Sequence, residues 1–308
     1  MFTIFLGLTP FIFITFVGFL FGRFKIFDLS HAKILNLFLY YVAVPALIIK
    51  FVAQSEIGQV DLKQIISYFL MQSSCGFFTF LITSRYFKRP ITESIIWALT
   101  VALSNHVTLL LPITKIYFNE DVVTQVTSII LMDGIILLSI IAFFLELVTK
   151  KNVQLIIFVK NVILNPMILS ILIGVFLFVF NFKLDDTPIE YTLSTLALCV
   201  SPVGLFAIGI ILSFYTKNVL NKLTVSISVL KLIISPLILL LIGFLIFDSG
   251  LPQEIPGAFF VSVAPCGVTS IVLCSAYNVS PENIIKAIFI STFASIATIF
   301  FAIQYLTT

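Results

Sequence analysis

The stretches ALSNHVTLLLPITKIYF, residues 102–118, and SVAPCGVTSIVLCSAYN, residues 262–278, decide the predicted fold. Each lies in an apolar run and carries an interior proline beside a cluster of small polar residues. Such a proline removes a backbone hydrogen bond and clashes with the preceding turn. Freed backbone groups at membrane depth are tolerated only where protein or a polar cavity satisfies them. The two stretches therefore predict two broken helices that form a binding site near the membrane midplane.

The composition around these stretches is that of a membrane protein. Of 308 residues, 60% are hydrophobic and 10% are charged, against about 25% charged in a soluble domain. These values exclude a soluble enzyme and a disordered protein. The net charge of +3 gives no indication of a nucleic-acid partner, and the four cysteines lie in apolar runs without metal or disulfide spacing.

Ten apolar runs predict an all-α membrane protein with ten transmembrane helices. The runs lie near residues 2–22, 33–53, 65–83, 94–118, 126–148, 161–181, 191–214, 223–247, 257–277 and 284–305. Basic residues cluster in every second connection and acidic residues in the others, and basic connections are cytoplasmic by the positive-inside rule. Both termini are therefore predicted to be extracytoplasmic.

The two halves of the chain resemble each other. Pro10 and Gly18 recur at nearly constant offset as Pro166 and Gly174, and the other recurring prolines are Pro45 with Pro202 and Pro112 with Pro265. Because each half has five spans, the second enters the membrane from the opposite side. The predicted organisation is a five-helix repeat in residues 1–148, a cytoplasmic or interfacial linker in 149–160, and an inverted repeat in 161–308.

Motifs along the whole chain resemble the auxin efflux carrier family. They are FGRFKIFD (21–28), YVAVPAL (41–47), the Asn105 to Pro112 spacing, NPMILSILIG (165–174), PVGLFAIGIIL (202–212), KLIISPLILL (231–240) and VAPCGVTSIVLCSAYN (263–278). The resemblance implies crossing helices 4 and 9 in a transport domain of helices 3, 4, 5, 8, 9 and 10. It also implies a scaffold of helices 1, 2, 6 and 7 that forms a homodimer interface, and elevator-type alternating access. The short linker is similar to that of bacterial members, which implies the bacterial inner membrane.

The predicted substrate site lies at the two broken helices. Its residues are Asn105, His106, Thr108, Pro112, Pro265, Gly267, Thr269 and Ser270. Partial positive charge at half-helix N-termini favours a carboxylate, so the predicted substrate is a small organic anion such as a carboxylate or an auxin-like weak acid. The chain departs from the family pattern in two places: Leu110 stands where glycine is common, and only Thr269 and Ser270 follow Pro265 as polar candidates.

Two ionisable residues inside spans are candidates for coupling or charge balance. Asp133 is the acid farthest from any predicted span end, and the alternative is a structural partner of Lys115, His106 or a backbone group. Lys231 could neutralise the substrate or Asp133, and the alternative is that it snorkels to the interface. His106 leaves a pH-dependent role open, since imidazole ordinarily titrates near neutrality. H⁺ and Na⁺ both remain open as coupling ions.

Other functional classes fit less well. No metalloprotease, P-loop or hydrolase motif occurs, and Asp133 lacks the second aspartate of an intramembrane aspartyl protease, so no enzyme, metal site or cofactor is predicted. A solute sensor would need a soluble domain or long loop for its signal. A sodium-coupled symporter of the bile-acid type is the remaining alternative, which Asp133 permits.

Overall fold

The computed structural model describes residues 2–54, 61–149, 164–182, 184, 186–215, 219–247 and 252–307. Within them the chain is helical apart from turns and a single antiparallel backbone bridge between Ser104 and Cys266. The helices are α1 (Phe2–Arg23), α2 (Leu29–Gln54), α3 (Leu62–Tyr86), α4 (Ile91–Ala102), α5 (Leu111–Tyr117), α6 (Glu120–Thr149), α7 (Pro166–Val179), α8 (Pro188–Phe214), α9 (Lys222–Ile246), α10 (Pro256–Ser262), α11 (Thr269–Ala276) and α12 (Glu282–Thr307). Residues 150–160 of the predicted linker lie outside the described ranges.

Six of these helices are long and apolar enough to cross a membrane: α2, α3, α6, α8, α9 and α12. Most of α1, together with α4 and α7, forms shorter apolar helices. The fourth predicted span corresponds to α4 followed by α5, and the ninth corresponds to α10 followed by α11. Both predicted interruptions are therefore present in an all-helical, multi-pass chain.

Polar side chains mark where many of the helices begin. Backbone N–H groups of the first turn are free of helical partners, and a side-chain oxygen just before the helix accepts hydrogen bonds from them. The residues with this role are Asp28, Asp61, Asn119, Asn165, Thr187 and Asn221. These residues are a physical reason why the helices begin at these points.

Three prolines follow wide π-helical turns. Pro45, Pro112 and Pro236 each stand two residues after such a turn, and the turns span Leu39–Ala43, His106–Leu110 and Leu230–Ile234. A proline has no N–H and its ring clashes with the carbonyl four residues earlier. Widening the preceding turn relieves that clash, so at these three prolines the distortion lies upstream of the proline. A further π turn spans Asp133–Leu137 without a following proline.

Close helix packing occurs at the two glycines that recur between the halves. Gly18 of α1 lies against the backbone of Phe206 in α8, where a Cβ would overlap the carbonyl group. Gly174 of α7 lies against Val52 of α2, whose Cβ would be 2.6 Å from an added Cβ. Small residues allow helix backbones to approach in this way. The first helix of each predicted half thus packs on the second helix of the other half.

Candidate functional site

The two chain breaks meet through their backbones. The Asn105 N–H donates to the Pro265 carbonyl at 3.0 Å, and the Gly267 N–H donates to the Leu103 carbonyl at 2.7 Å. These bonds satisfy groups that the interrupted helices leave free at membrane depth. A Cβ on Gly267 would lie 2.7 Å from the Leu103 carbonyl oxygen, so this approach requires glycine.

A cavity of about 120 Å³ lies beside this crossover. Five of the residues predicted from sequence line it: Asn105, His106, Thr108, Thr269 and Asp133. The first three come from the break after α4 and the π turn that follows it, Thr269 begins α11, and Asp133 begins the π turn within α6. The fold therefore brings polar residues from three separate segments to one small cavity.

Asn105 is held within this cavity by its neighbours. Its backbone is fixed to Pro265, and its side-chain oxygen accepts a hydrogen bond from the Thr108 hydroxyl. The side chain is 4% exposed, and its amide nitrogen, Nδ2, has no hydrogen-bond partner in the structure. The Thr108 bond orients the amide so that its donor group is left over.

His106 and Asp133 form a buried pair across the cavity. His106 Nε2 lies 2.8 Å from Asp133 Oδ2, and both residues are almost fully buried. Of the sequence alternatives for Asp133, the histidine is the partner observed. The remaining side-chain atoms, His106 Nδ1 and Asp133 Oδ1, have no partner.

Unpartnered polar atoms are concentrated in this cavity. Among the described residues, six buried side-chain nitrogen or oxygen atoms lack a hydrogen-bond partner, and three of the six belong to Asn105, His106 and Asp133. Leaving such an atom unpaired costs about 1–3 kcal/mol. A ligand with matching donors and acceptors would recover this energy, which makes the cavity the candidate binding site.

Lys231 lies behind the crossover, away from the cavity lining. It is fully buried, and its Nζ donates to Ser104 Oγ at 2.7 Å. Ser104 in turn donates to the Val261 carbonyl, and its oxygen lies 3.1 Å from the Tyr68 hydroxyl. The expectation that Lys231 snorkels to the interface is wrong, because its ammonium group is bound inside the protein.

Four other predicted residues support the crossover without lining the cavity. Pro265 and Gly267 supply backbone groups to the chain breaks. Pro112 is the second residue of α5 and lies well after the break at Leu103–Asn105, because the widened turn of residues 106–110 separates the two. The Ser270 hydroxyl donates to the Gly267 carbonyl within its own turn.

The predicted site residues do not include three polar residues of the cavity lining. Asn36 and Tyr40 of α2 reach it, as does Ser104. Tyr40 lies in a π turn, as do His106, Asp133 and Lys231. Such turns occur often at functional sites, and the proline two residues after three of them is the signal that could have indicated them.

A comparison with known families agrees with this architecture. A family model described as "Membrane transport protein" matches residues 3–303. The chain belongs to the auxin efflux carrier family. This confirms the resemblance seen in the sequence motifs. No curated protein gives a significant match to the chain.

Membership in this family of transporters identifies the protein as a membrane transporter. Its substrate is accordingly a small molecule and its surroundings are membrane lipid. Among the described residues, no group of three His, Cys, Asp or Glu side chains is placed to hold a metal ion.

Proposed function

We propose that this carrier transports a small organic anion, a carboxylate or a comparable weak acid, which binds in the cavity beside the crossover. The observation that carries the proposal is the cluster of unpartnered polar atoms on Asn105, His106 and Asp133 in one buried cavity. A transporter must bind its substrate and release it again. A site whose polar atoms lack protein partners suits that requirement.

Two features of the cavity favour a carboxylate. The Asn105 amide offers a free donor, and α11 begins at Thr269 in the cavity wall. The N-terminus of a helix carries partial positive charge and unpaired N–H groups that favour anions. The Lys231 ammonium, on the other side of Ser104, adds positive charge nearby.

The cavity volume favours a short acid. A volume of about 120 Å³ corresponds to roughly four water molecules at about 30 Å³ each. Acids of about six non-hydrogen atoms match this volume. An indole acid is about twice that size and would require the cavity to widen.

We place this binding step within elevator-type transport by ten helices in two inverted repeats. The scaffold would be α1, α2, α7 and α8, and the remaining helices would carry the substrate. Two contacts support this division: α1 packs along the second part of α8, and α7 packs along the second part of α2. Exchanging the two halves converts one contact into the other, as a repeat related by a two-fold axis requires.

The proposal also includes orientation and assembly. The basic connections would be cytoplasmic, which leaves both termini outside, and the location would be the bacterial inner membrane. The scaffold would form the homodimer interface, which rests on the family resemblance.

Uptake of labelled acids into proteoliposomes tests the function. The panel comprises pyruvate, lactate, malonate and indole-3-acetate, each measured with wild-type protein, with Asn105→Ala and with empty liposomes. We expect saturable uptake of at least one short acid. Asn105→Ala should weaken it roughly 10- to 100-fold, since a hydrogen bond to a charged group is worth about 1.5–3 kcal/mol.

Asn283→Ala is the matched control, because Asn283 bonds to Asn221 and does not line the cavity. It should transport like the wild type. Undiminished uptake by Asn105→Ala would overturn the site. Uptake that requires Na⁺ at constant pH would support the sodium-coupled alternative, and ligand binding without uptake would support the sensor.

A further inference from the structure

The ionisable groups buried in the core balance one another in charge if Asp133 and Lys231 are ionised and His106 is neutral. Among the described residues, the buried acidic and basic side chains are Asp133, His106, Lys231 and Lys286. Lys286 is paired with Glu282 at 2.6 Å. With Asp133 and Lys231 charged and His106 neutral, the remaining three sum to zero. A bound monocarboxylate would add one uncompensated negative charge, which is costly in a buried site.

The hydrogen bond between His106 and Asp133 leaves His106 Nδ1 available to bind a compensating proton. An ionised Asp133 can only accept, so Nε2 of a neutral His106 must carry the hydrogen in the 2.8 Å contact. Nδ1 then presents a lone pair. This atom is buried and without a partner in a residue that lines the cavity. A lone pair repels a carboxylate, whereas a protonated Nδ1 would donate a hydrogen bond to it.

The groups around His106 favour binding of the proton by the His106–Asp133 pair itself. Besides Asp133, the titratable groups around the cavity and its Ser104 neighbour include Tyr40, which lines the same cavity, and Lys231 and Tyr68, which both contact Ser104. In α8, which packs on the same turn, residues 200–214 carry no acidic or basic side chain. The other charged groups on the packed helices are Lys115 in α5, which lies over the Phe51 ring, and Glu120 and Asp121 at the start of α6.

We infer that this carrier takes up one proton with each monocarboxylate and that the proton binds at His106 Nδ1. The inference rests on the proposed function. On binding, H⁺ adds to the Nδ1 lone pair, and the resulting imidazolium pairs with both Asp133 and the substrate carboxylate. The core charge returns to zero, so transport is electroneutral. When the substrate leaves, the protonated Nδ1 of His106 loses the carboxylate that accepted its hydrogen bond. The proton then dissociates from Nδ1 on the same side of the membrane.

The test measures accumulation ratios in proteoliposomes with pyruvate as the probe. One experiment applies an inward gradient of one pH unit with the membrane potential clamped at zero by valinomycin and equal potassium. The other applies a potential at equal pH. We expect about tenfold accumulation from the pH gradient, because one pH unit on one proton is worth a factor of ten, and no accumulation from the potential. A pyranine signal inside the vesicles should report about one proton per pyruvate.

His106→Gln separates coupling from mere structure. Its amide can still donate to Asp133 but cannot titrate, so accumulation driven by the pH gradient should disappear and uptake should respond to the potential. Asn105→Ala is the matched control: it should slow uptake yet leave the accumulation ratio near ten. A carrier that only lost binding strength would behave like this control.

Asp133→Asn provides a second arm should His106→Gln not fold. Removing this carboxylate leaves the Lys231 charge to balance the substrate, so uptake should again follow the potential and ignore the pH gradient. Wild-type accumulation that follows the potential, or His106→Gln that still responds to the pH gradient, would overturn the inference. Absence of uptake of every acid in the panel under both gradients would instead contradict the proposed function itself.

Discussion

The two sides of the crossover use their buried polar atoms differently. On the cavity side, Asn105, His106 and Asp133 each keep one side-chain atom without a partner. Ser104 also lines the cavity, but its hydroxyl binds groups behind the crossover: Lys231, Tyr68 and the Val261 carbonyl. The Ser104 hydroxyl donates its one hydrogen to the Val261 carbonyl, so the Tyr68 hydroxyl must donate to the Ser104 oxygen. The Ser104 hydroxyl therefore has all its hydrogen bonds made, whereas the three unpartnered atoms on the cavity side are left for a ligand.

This difference separates two free energies, that of folding the site and that of binding a ligand in it. A buried polar group without a partner costs about 1–3 kcal/mol, and the folded protein bears that cost at the front. The hydrogen bonds of Ser104 to Lys231, Tyr68 and the Val261 carbonyl stabilise the chain break at Leu103–Asn105. The comparison predicts that substitutions behind the crossover act on folding and that substitutions in front act on binding.

Gly267→Ala should have the largest effect, because it damages both sides. The new Cβ would lie 2.7 Å from the Leu103 carbonyl oxygen, and backbone atoms cannot yield as a flexible side chain can. Forcing extra volume into a packed site costs about 1–3 kcal/mol. We expect a loss near the upper limit, about 3 kcal/mol in the free energy of unfolding, together with loss of uptake. Thermal unfolding in detergent and pyruvate uptake measure the two.

Gly76→Ala in α3 is the control for this substitution. A Cβ there would meet nothing closer than 3.5 Å, and alanine favours a helix by about 1 kcal/mol over glycine. This variant should unfold at the same temperature or a higher one. If Gly267→Ala had the same unfolding temperature and the same uptake as Gly76→Ala, the close backbone contact at the crossover would not be needed for stability or for transport.

Ser104→Ala should have an intermediate effect confined to stability of the back side. It leaves the buried Lys231 ammonium and the Tyr68 hydroxyl without their acceptor, and an unsatisfied buried donor costs about 1–3 kcal/mol. We expect a loss of about 2 kcal/mol in the free energy of unfolding, measured by thermal or denaturant unfolding.

Ser270→Ala controls for the loss of a buried serine hydroxyl at the same crossover. Its hydroxyl bonds only to the Gly267 carbonyl of its own turn, so the cost should stay below about 1 kcal/mol, the typical net worth of one hydrogen bond. Equal losses from the two serines would show that the Lys231 network contributes nothing beyond a single hydroxyl.

The sequence predicts the broken helices because prolines and polar clusters act locally. The interruption at Pro265 lies where it is expected. Pro112 misleads, since its clash is relieved in the turn before it, and the break itself falls at Leu103–Asn105.

Contacts between residues far apart in the chain cannot be predicted from local sequence patterns. Asp133 has several possible partners in sequence, and only the crossing of the two chain breaks selects His106. The burial of Lys231 has the same origin, because Ser104 is presented to it by that crossing. Thr269 and Ser270 are equivalent in sequence, yet one lines the cavity and the other supports its own turn.

Thr269→Val should have the smallest effect, and it tests that last distinction. It removes a hydroxyl from the cavity wall with little change in side-chain shape, so the free energy of unfolding should not change. A net hydrogen bond is worth about 1 kcal/mol, which corresponds to roughly fivefold weaker binding of the transported acid, measured by thermal stabilisation at graded concentrations. Ser270→Ala, which does not reach the cavity, should leave this affinity unaltered. If both variants weakened binding equally, both hydroxyls would contribute to substrate binding. The distinction between residues that bind the substrate and residues that only support the crossover would then not hold at α11.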